Sequence, residues 1–390
     1  MILNKNIFED LFVLELANNH WGRVERGLKI IEDYSKIVRF NNVRAAIKLQ
    51  FRDLESFIHK DYRHRTDLRY IKKTLDTQLN KDEYTRLVKA IRAGGCLTMV
   101  TPFDEKSVDM CVELGVEIIK IASSDINDWF LLEKIATTKK PVVCSTGGSS
   151  LKDIDDLVTF FENRKIPLAI NHCVSIYPSE DSELELNQID FLRNRYPNTT
   201  VGFSTHEYNN WEWSVMMSYA KGARTWERHI DIDDGTTKVP AYNSLPEQVD
   251  VWFRAYRKAK EMCGPPGTQK RIPPEKEIRY LDKLIRGVYA KTDLPAGYRL
   301  TDDVCYLAVP LLKGQVSCRE YMRGEVLTKP IKKDAPIHID DIESPYSADS
   351  DLKRMIYDRG LDPNAPVGAD FQHGSQTAGN VATATEGMRH

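Results

Sequence analysis

The sequence lacks the features typical of membrane, nucleic-acid-binding and disulfide-bonded proteins. No apolar run approaches the ~20 residues that span a bilayer, and the amino-terminal residues do not resemble a signal peptide. The 55 basic residues nearly balance the 57 acidic ones, which leaves no field to attract nucleic acid or a membrane surface. The seven cysteines form no Cys-x-x-Cys pair, so we expect reduced thiols and a cytoplasmic protein.

A short apolar, β-branched run, a polar loop and an amphipathic stretch alternate through the first two thirds of the chain. This pattern predicts a closed parallel (β/α)8 TIM barrel. An open doubly wound sheet is the alternative, but the turn after the first strand has no glycine-rich dinucleotide motif. The predicted strands are residues 12–16, 45–49, 96–100, 117–121, 142–145, 168–172, 201–204 and 225–229.

The composition changes after residue 264 and divides the chain. We assign residues 1–267 to the barrel, because Gly264-Pro265-Pro266-Gly267 cannot continue a helix. Residues 268–285 read as a linker, and residues 286–343 as a small domain of short strands and tight turns. Residues 344–390 are small, polar and low in complexity toward the end, which predicts a disordered tail.

Polar side chains occur at the predicted carboxyl ends of all eight strands, where a barrel enzyme places its active site. Any one of them could be a hydrogen-bonded core residue or a helix cap. The convergence of the whole set predicts a catalytic or binding site, because unpaired buried charge is costly. The set is Glu15, Asn19, His20, Lys48, Gln50, Thr101, Lys120, Ser123, Asp125, Ser145, Thr146, His172, Ser204, His206, Glu227, Arg228 and His229.

Two histidines give the most specific signal in this set. His206 follows the seventh strand and His229 ends the eighth, so adjacent strands can aim both imidazoles at one point. Imidazole nitrogen suits a divalent transition metal, and Glu15 across the mouth could add an oxygen ligand directly or through water. The pair therefore predicts a metal site with open coordination positions.

Two lysines, Lys48 and Lys120, end largely apolar strands, where a cation needs a partner. A phosphate or carboxylate ligand would supply it. A Schiff-base lysine is the alternative, although metal activation and imine formation are alternative ways to polarise a carbonyl. Residues 59–65, in a long loop after the second strand, form either a solvated basic face or a lid.

Eight segments at the predicted strand ends carry a family resemblance: residues 15–22, 47–50, 101–104, 120–123, 141–147, 172–178, 202–206 and 227–229. Taken in order, they resemble the sialic acid synthase (N-acetylneuraminate synthase) family, and the similarity extends over residues 13–342. Residues 286–342 look like the family's antifreeze-like SAF domain, a β-clip-type fold.

The resemblance implies condensation of phosphoenolpyruvate with an open-chain aldose such as N-acetylmannosamine, giving a 3-deoxy-2-ulosonic (sialic or nonulosonic) acid and phosphate. It also implies a divalent metal, Mn²⁺ before Mg²⁺ or Co²⁺, on His206 and His229. A homodimer is implied in which each SAF domain covers the partner's barrel mouth. Glu15 would be the acid/base or water-positioning group, and Glu227 would order the site. Phosphoenolpyruvate would contact Lys48, Thr101, Lys120, Ser123, Ser145, Ser175 and Ser204, and the sugar would contact Gln50, Asp125 and Tyr177.

Several positions depart from the family pattern on the acceptor side. Pro240 stands where an aspartate is usual, Val309 stands where an arginine precedes proline, and Asp125 shortens a glutamate. We therefore expect the same reaction with a different aldose, for example one without an N-acetyl group. The alternatives are a metal-dependent barrel aldolase or isomerase acting on a phosphorylated sugar, and a non-catalytic carbohydrate- or ice-binding protein.

Overall fold

Eight parallel strands close into a barrel in chain order, with β1 pairing with both β2 and β8. The computed structural model describes residues 6–364. The prediction of a (β/α)8 barrel is confirmed, and the predicted strand bounds differ from the observed ones by two residues at most. The strands are β1 Leu11–Ala17, β2 Arg44–Phe51, β3 Leu97–Pro102, β4 Ile118–Ile121, β5 Val142–Ser145, β6 Leu168–Cys173, β7 Thr200–Thr205 and β8 Thr225–His229.

Helices connect the strands, and some of them begin with a side-chain cap. Asn80 and Glu83 exchange hydrogen bonds with each other's backbone N–H at the start of α4, and Ser150 and Asp153 do so at the start of α7. The helices of the barrel unit are α1 Val24–Asn41, α2 Leu54–Phe57, α3 Arg69–Asp76, α4 Lys81–Ala93, α5 Glu105–Glu113, α6 Trp129–Thr137, α7 Leu151–Asn163, α8 Asn187–Arg195, α9 Trp211–Ala220 and α10 Pro246–Cys263.

The residues that share one face of each strand change from apolar to polar toward its carboxyl end. Successive side chains of a strand point to opposite faces, so residues two apart lie on the same face. The apolar layer is one buried cluster containing Val13, Ala46, Met99, Ile118 and Val143. Two residues further along the same strands stand Glu15, Lys48, Thr101, Lys120 and Ser145, all buried. The strand period thus carries these polar groups to a single mouth.

The residues on the other face of each strand pack between the strands and the helices. Phe12 is fully buried there, and its ring lies 5.1 Å from Trp226, 4.8 Å from Trp252 and 4.8 Å from Phe253 between centroids.

Among residues 6–364, no helix has both the length and the apolar composition needed to cross a bilayer.

A second compact unit begins at Gly267, next to the predicted barrel boundary. Its apolar cluster includes Val288, Leu294, Ile337 and Ile342. The predicted linker contains a helix, α11 Glu275–Asp282. The strands are β9 Gly287–Ala290 and β10 Cys305–Ala308, an antiparallel pair, and β11 Val326–Leu327 and β12 Ile342–Glu343, a second antiparallel pair.

The predicted disordered tail is wrong for its first part. Residues 344–364 contain α12 Pro345–Ala348 and α13 Ser350–Asp358, and Ile356 of α13 is fully buried in the apolar cluster of the second unit. Leu361 also exchanges backbone hydrogen bonds with residues 311 and 313. The polar composition of this segment did not indicate the amphipathic helix α13, whose Ile356 is buried. Residues 365–390 lie outside the described residues.

Candidate active site

A cavity of about 750 Å³ lies among the carboxyl ends of the barrel strands. Its lining combines strand-end residues with residues of the loops that follow, so segments distant in the sequence meet in one space. The predicted site residues that line it are Glu15, Lys48, Gln50, Thr101, Lys120, Ser123, Ser145, Ser175, Tyr177, Ser204, His206, Glu227 and His229.

Lys48 lies between two buried carboxylates. Its Nζ is 2.9 Å from Glu15 Oε2 and 2.9 Å from Glu227 Oε1, and it donates to Thr101 Oγ1 at 3.3 Å. Gln50 Nε2 donates to the other oxygen of Glu15 at 2.8 Å. The strand register requires this grouping, because Glu15 is directly opposite Lys48 on one side and His229 on the other.

The two carboxyl groups differ in their tendency to hold a proton. Burial raises the pKa of Glu15, and the attraction of Lys48 does not cancel this effect because the charge of Glu227 adds to it. Burial also acts on Glu227, but Lys120 and Lys48 together outweigh it and hold its pKa below the usual range. Of the coupled pair, Glu15 is therefore the carboxyl that can carry a proton.

Lys120 of β4 is the centre of a second group of polar contacts, which includes Ser145 of β5. Its Nζ donates to Ser145 Oγ at 2.7 Å and lies 3.9 Å from Glu227 Oε2. The backbone N–H of Gly147 donates to Ser123 Oγ at 3.1 Å, and a Cβ at Gly147 would stand 2.2 Å from Ser175 Oγ. Cations, hydroxyls and a backbone N–H together form a cradle suited to an oxyanion.

The imidazoles of His206 and His229 lie side by side, with ring centroids 5.5 Å apart. His206 Nδ1 is 2.8 Å from the carbonyl oxygen of Val174. A carbonyl can only accept, so Nδ1 carries the hydrogen and Nε2 is left with its lone pair. Burial lowers the pKa of His206 to about 4, and burial together with the charge of His206 lowers the pKa of His229 well below its usual range. Both rings are therefore neutral near pH 7, the form that binds metals.

The donor set fits a two-nitrogen metal site completed by water and substrate. Within residues 6–364, no three His, Cys, Asp or Glu side chains are placed to bind one ion. Glu15 does not serve as a direct third ligand here, because Lys48 and Gln50 engage both of its oxygens. Two imidazoles would leave several coordination positions of such an ion open to water and substrate, which a catalytic metal needs.

Not all of the strand-end set lines the cavity, which corrects the sequence analysis: the residues outside the lining are His20, Asp125, Thr146, His172 and Arg228. Asp125 accepts a hydrogen bond from Ser124 Oγ at 2.8 Å and does not line the cavity, so its predicted contact with the sugar is not supported. His172 points to the opposite face of β6 from the cavity, because adjacent residues of a strand alternate and its neighbour Cys173 lines the cavity. Its ring stacks on Phe203 with centroids 5.9 Å apart.

The sequence analysis missed a group of lining residues outside the strands. Tyr70, Lys73 and Thr74 come from α3. Their i, i+3, i+4 spacing was the available signal. This helix follows residues 59–65, the segment interpreted as a solvated basic face or a lid, and none of those residues lines the cavity. Arg52 directly follows β2, and the other missed residues include Asn18, Phe103, Cys173 and Tyr242, whereas Asn19 was expected at the end of the first strand and does line the cavity.

Comparisons with known proteins find relatives of both units of the chain. The sequence profile of the NeuB family matches residues 41–266, and that of the SAF domain matches residues 285–343. The chain is 28% identical to N-acetylneuraminate-9-phosphate synthase of Drosophila melanogaster, covering 75% of this chain and 80% of that one. It is 26% identical to pseudaminic acid synthase of Campylobacter jejuni, covering 77% and 87%.

A solved structure resembles the chain more closely. The putative spore coat polysaccharide biosynthesis protein E of Chromobacterium violaceum is 37% identical, with a TM-score of 0.82, covering 86% of this chain and 100% of that one.

Proposed function

The chain belongs to the NeuB family, and from this premise we propose that it condenses phosphoenolpyruvate with an open-chain aldose, forming a 3-deoxy-2-ulosonic acid and releasing phosphate. The observation that carries the proposal is one cavity in which two neutral imidazoles adjoin two lysines and two carboxyls of opposite proton affinity. Relatives that are named as synthases of sialic and pseudaminic acids support it.

The cradle around Lys120 would hold the phosphate and carboxylate of phosphoenolpyruvate. Lys48 and Lys120 supply ammonium groups, and Glu227 keeps them from being left unpaired before the donor binds. Hydroxyl groups orient the donor without adding charge. We assign to this set Thr101, Ser123, Ser145, Ser175 and Ser204.

His206 and His229 would hold a divalent metal ion, which we propose to be Mn²⁺, with Mg²⁺ or Co²⁺ as alternatives. When bound, that ion would act as a Lewis acid on the acceptor's aldehyde oxygen. Gln50 and Tyr177 both line the cavity. The Tyr177 ring lies 4.0 Å from that of His206 between centroids, and Gln50 donates to Glu15. We propose that both residues contact the aldose.

The proposed condensation requires proton transfer and develops positive charge at C2, and the two carboxyl groups can serve these needs. C3 of phosphoenolpyruvate attacks the aldehyde carbon, the new hydroxyl oxygen takes a proton, and C2 acquires oxocarbenium character. Water adds at C2 and loses a proton, and the C2–O bond breaks as phosphate leaves. Glu15, with its raised pKa, is the group that can hold or pass on a proton, while ionised Glu227 stabilises the developing positive charge.

Phosphoenolpyruvate labelled with ¹⁸O in its bridging oxygen tests this scheme. The protein would be incubated with Mn²⁺ and a panel of aldoses, and both phosphate and the keto acid would be measured by mass spectrometry. We expect phosphate release only when an aldose is present, with the label in the phosphate, because the C2–O bond breaks. Label retained in the organic product, or release without any aldose, would contradict the mechanism.

Two further outcomes separate the alternatives. Conversion of a sugar phosphate without phosphoenolpyruvate would favour the barrel aldolase or isomerase. Fastest release with N-acetylmannosamine would contradict the altered-acceptor hypothesis that Pro240 and Val309 suggest. The homodimer implied by the resemblance belongs to the same proposal, and a monomeric mass in light scattering of the fully active protein would contradict it.

A further inference from the structure

A buried ion pair lies directly behind the two imidazoles. Glu207 follows His206 in the chain, and Arg228 precedes His229. Arg228 Nη1 lies 3.2 Å from Glu207 Oε1, and both side chains are buried. Glu227 and His229 line the cavity, so the alternation of the strand places Arg228 on the other face of β8. The pair therefore adjoins the segments that carry both histidines without lining the cavity.

Backbone pairing between β7 and β8 ends before it reaches the histidines. In the described chain, the last ladder pair of these two strands is Thr205 with Arg228. Beyond it, the carbonyl oxygen of His206 accepts a hydrogen bond from the loop after β6, and that of His229 accepts one from the loop after β8. The ladder therefore does not by itself fix the distance between the two imidazoles.

The Arg228 side chain makes contacts that span this gap. Its Nη2 donates to the backbone carbonyl oxygen of Glu207, the residue after His206, at 2.7 Å. Its Nε donates to Ser244 Oγ at 2.5 Å, and the N–H of Ser244 donates to the carbonyl oxygen of His229 at 2.9 Å. One guanidinium thus binds the residue after one histidine and a residue that is hydrogen-bonded to the other.

Helix α9 holds the ion pair from its other side. Ser214 Oγ donates to Glu207 Oε1 at 2.5 Å. The centroid of the Trp211 ring, at the start of α9, lies 5.3 Å from the guanidinium carbon of Arg228. A buried guanidinium is costly unless a carboxylate balances it, which Glu207 does. Because a guanidinium is a planar fork, its contacts have fixed directions that a flexible ammonium would not impose.

The two imidazoles differ in what else holds them. The carbonyl oxygen of Val174 accepts from the His206 ring. The His229 ring is not hydrogen-bonded to any described residue and contacts the rings of Tyr177 and Tyr242, with centroids 6.1 and 5.3 Å away. Its direction therefore depends on the backbone at the end of β8.

We propose that Arg228 and Glu207 are positioning residues, which set the distance between His206 and His229 and thereby the affinity of the imidazole pair for a divalent metal. This inference rests on the proposed function, because it concerns the metal site that the function uses. Neither residue of the ion pair would contact the metal or a substrate, since neither lines the cavity. A site whose ligands depart by more than about 0.5 Å from their productive geometry works poorly, so loss of the pair should weaken metal binding in the folded protein.

Binding of Mn²⁺, followed by electron paramagnetic resonance of the free ion, tests the positioning role without turnover. The double variant Glu207→Leu, Arg228→Met removes both charges at once, which a protein tolerates better than the loss of one partner. We expect its Kd for Mn²⁺ to rise by about 10- to 100-fold, the range typical when residues that orient metal ligands are replaced. Arg228→Lys keeps the charge without the fork, and its Kd should lie between those of the wild type and the double variant.

Ser244→Ala is a milder variant that keeps the ion pair intact. It removes only the acceptor of Arg228 Nε, so the buried charges stay balanced and the protein should fold. We expect the Kd for Mn²⁺ to rise by about 3- to 10-fold, the loss that corresponds to one hydrogen bond. If the double variant fails to fold, this value decides, and an unchanged Kd overturns the inference.

The matched control is Arg92→Met. Arg92 Nε also lies near a carboxylate oxygen, Glu117 Oε1 at 3.1 Å, and its Nη2 donates to the carbonyl oxygens of residues 114 and 115, but these contacts lie at the amino-terminal end of β4. Its loss should lower the melting temperature and leave the Kd for Mn²⁺ unchanged. A folded double variant that binds Mn²⁺ as tightly as the wild type, or an equal rise of Kd in Arg92→Met, would show that the ion pair is merely structural.

The wild-type protein separates this inference from the proposed function. If it binds Mn²⁺ but releases no phosphate from phosphoenolpyruvate with any aldose, the proposed function fails, and the inference is still supported when the Kd rises in the double variant and not in Arg92→Met. If the wild type binds no Mn²⁺, the metal assignment and this inference are both overturned.

Discussion

Replacing Lys48 by methionine should destabilise the barrel in a pH-dependent way. The ammonium lies 2.9 Å from each of two carboxylates whose side chains are 1% and 7% exposed. Without it, Glu15 and Glu227 are left as neighbouring buried carboxyls: Gln50 still donates to Glu15, and Lys120 lies 3.9 Å from Glu227. Removing one partner of a buried ion pair typically costs about 3–5 kcal/mol.

The sign of the pH dependence follows from the same contacts. Loss of Lys48 raises the pKa of both carboxyls in the folded variant, while their values in the unfolded chain stay the same. The folded variant then binds protons that the unfolded chain has released, so its free energy of unfolding falls as pH rises, by up to about 1.4 kcal/mol per pH unit for each proton. The deficit relative to wild type should be larger at about pH 8 than at about pH 5.

Urea unfolding followed by tryptophan fluorescence measures this deficit. All six tryptophans lie within the barrel unit, so the signal reports on the barrel alone. Lys36→Met, which removes an exposed lysine paired with Glu32, is the control and should leave the transition unchanged. Adding Glu15→Gln to Lys48→Met should recover part of the loss. A deficit that is the same at both pH values would refute the reasoning.

Three further expectations address other parts of the molecule. Gly147→Ala places a Cβ 2.2 Å from Ser175 Oγ and should raise KM for phosphoenolpyruvate by about 10- to 100-fold without changing the melting temperature. Since burial holds the pKa of His206 at about 4, its ¹⁵N resonances should show a neutral ring with hydrogen on Nδ1 from about pH 5.5 to about pH 8; titration near pH 6.5 would contradict this. Ile356→Ala should destabilise the second unit by about 2–5 kcal/mol, seen as faster hydrogen exchange at residues 311–316 with unchanged exchange in the barrel.

The barrel and most of its lining could be predicted because both depend on local periodicity. Apolar residues at period two define each strand, and parallel strands bring their carboxyl ends to one mouth. Glu15, Lys48, Lys120 and Ser145 therefore had to meet once the strands were identified. The prediction for His172 was wrong because adjacent residues of a strand face opposite sides, so a shift of one residue at the strand end decides whether a side chain reaches the cavity.

Other features depended on contacts that the sequence does not display. The polar composition of residues 344–390 gave no sign that Ile356 is buried in the second unit. Tyr70 and Lys73 reach the cavity from a helix in a long connection, whose path no strand register fixes.

The sequence alone thus determined the barrel, the two-domain division and the chemical types gathered at the mouth, because these follow from patterns along a single segment. Only the tertiary structure decided which carboxyl holds a proton and which cations lack a partner. Glu15 and Glu227 are the same residue type, and the difference in their pKa arises from their distances to Lys48 and Lys120 in a buried setting. Lys72 and Lys73 are likewise identical in type and adjacent in sequence, and the direction each takes from α3 separates a paired surface charge from one facing the cavity.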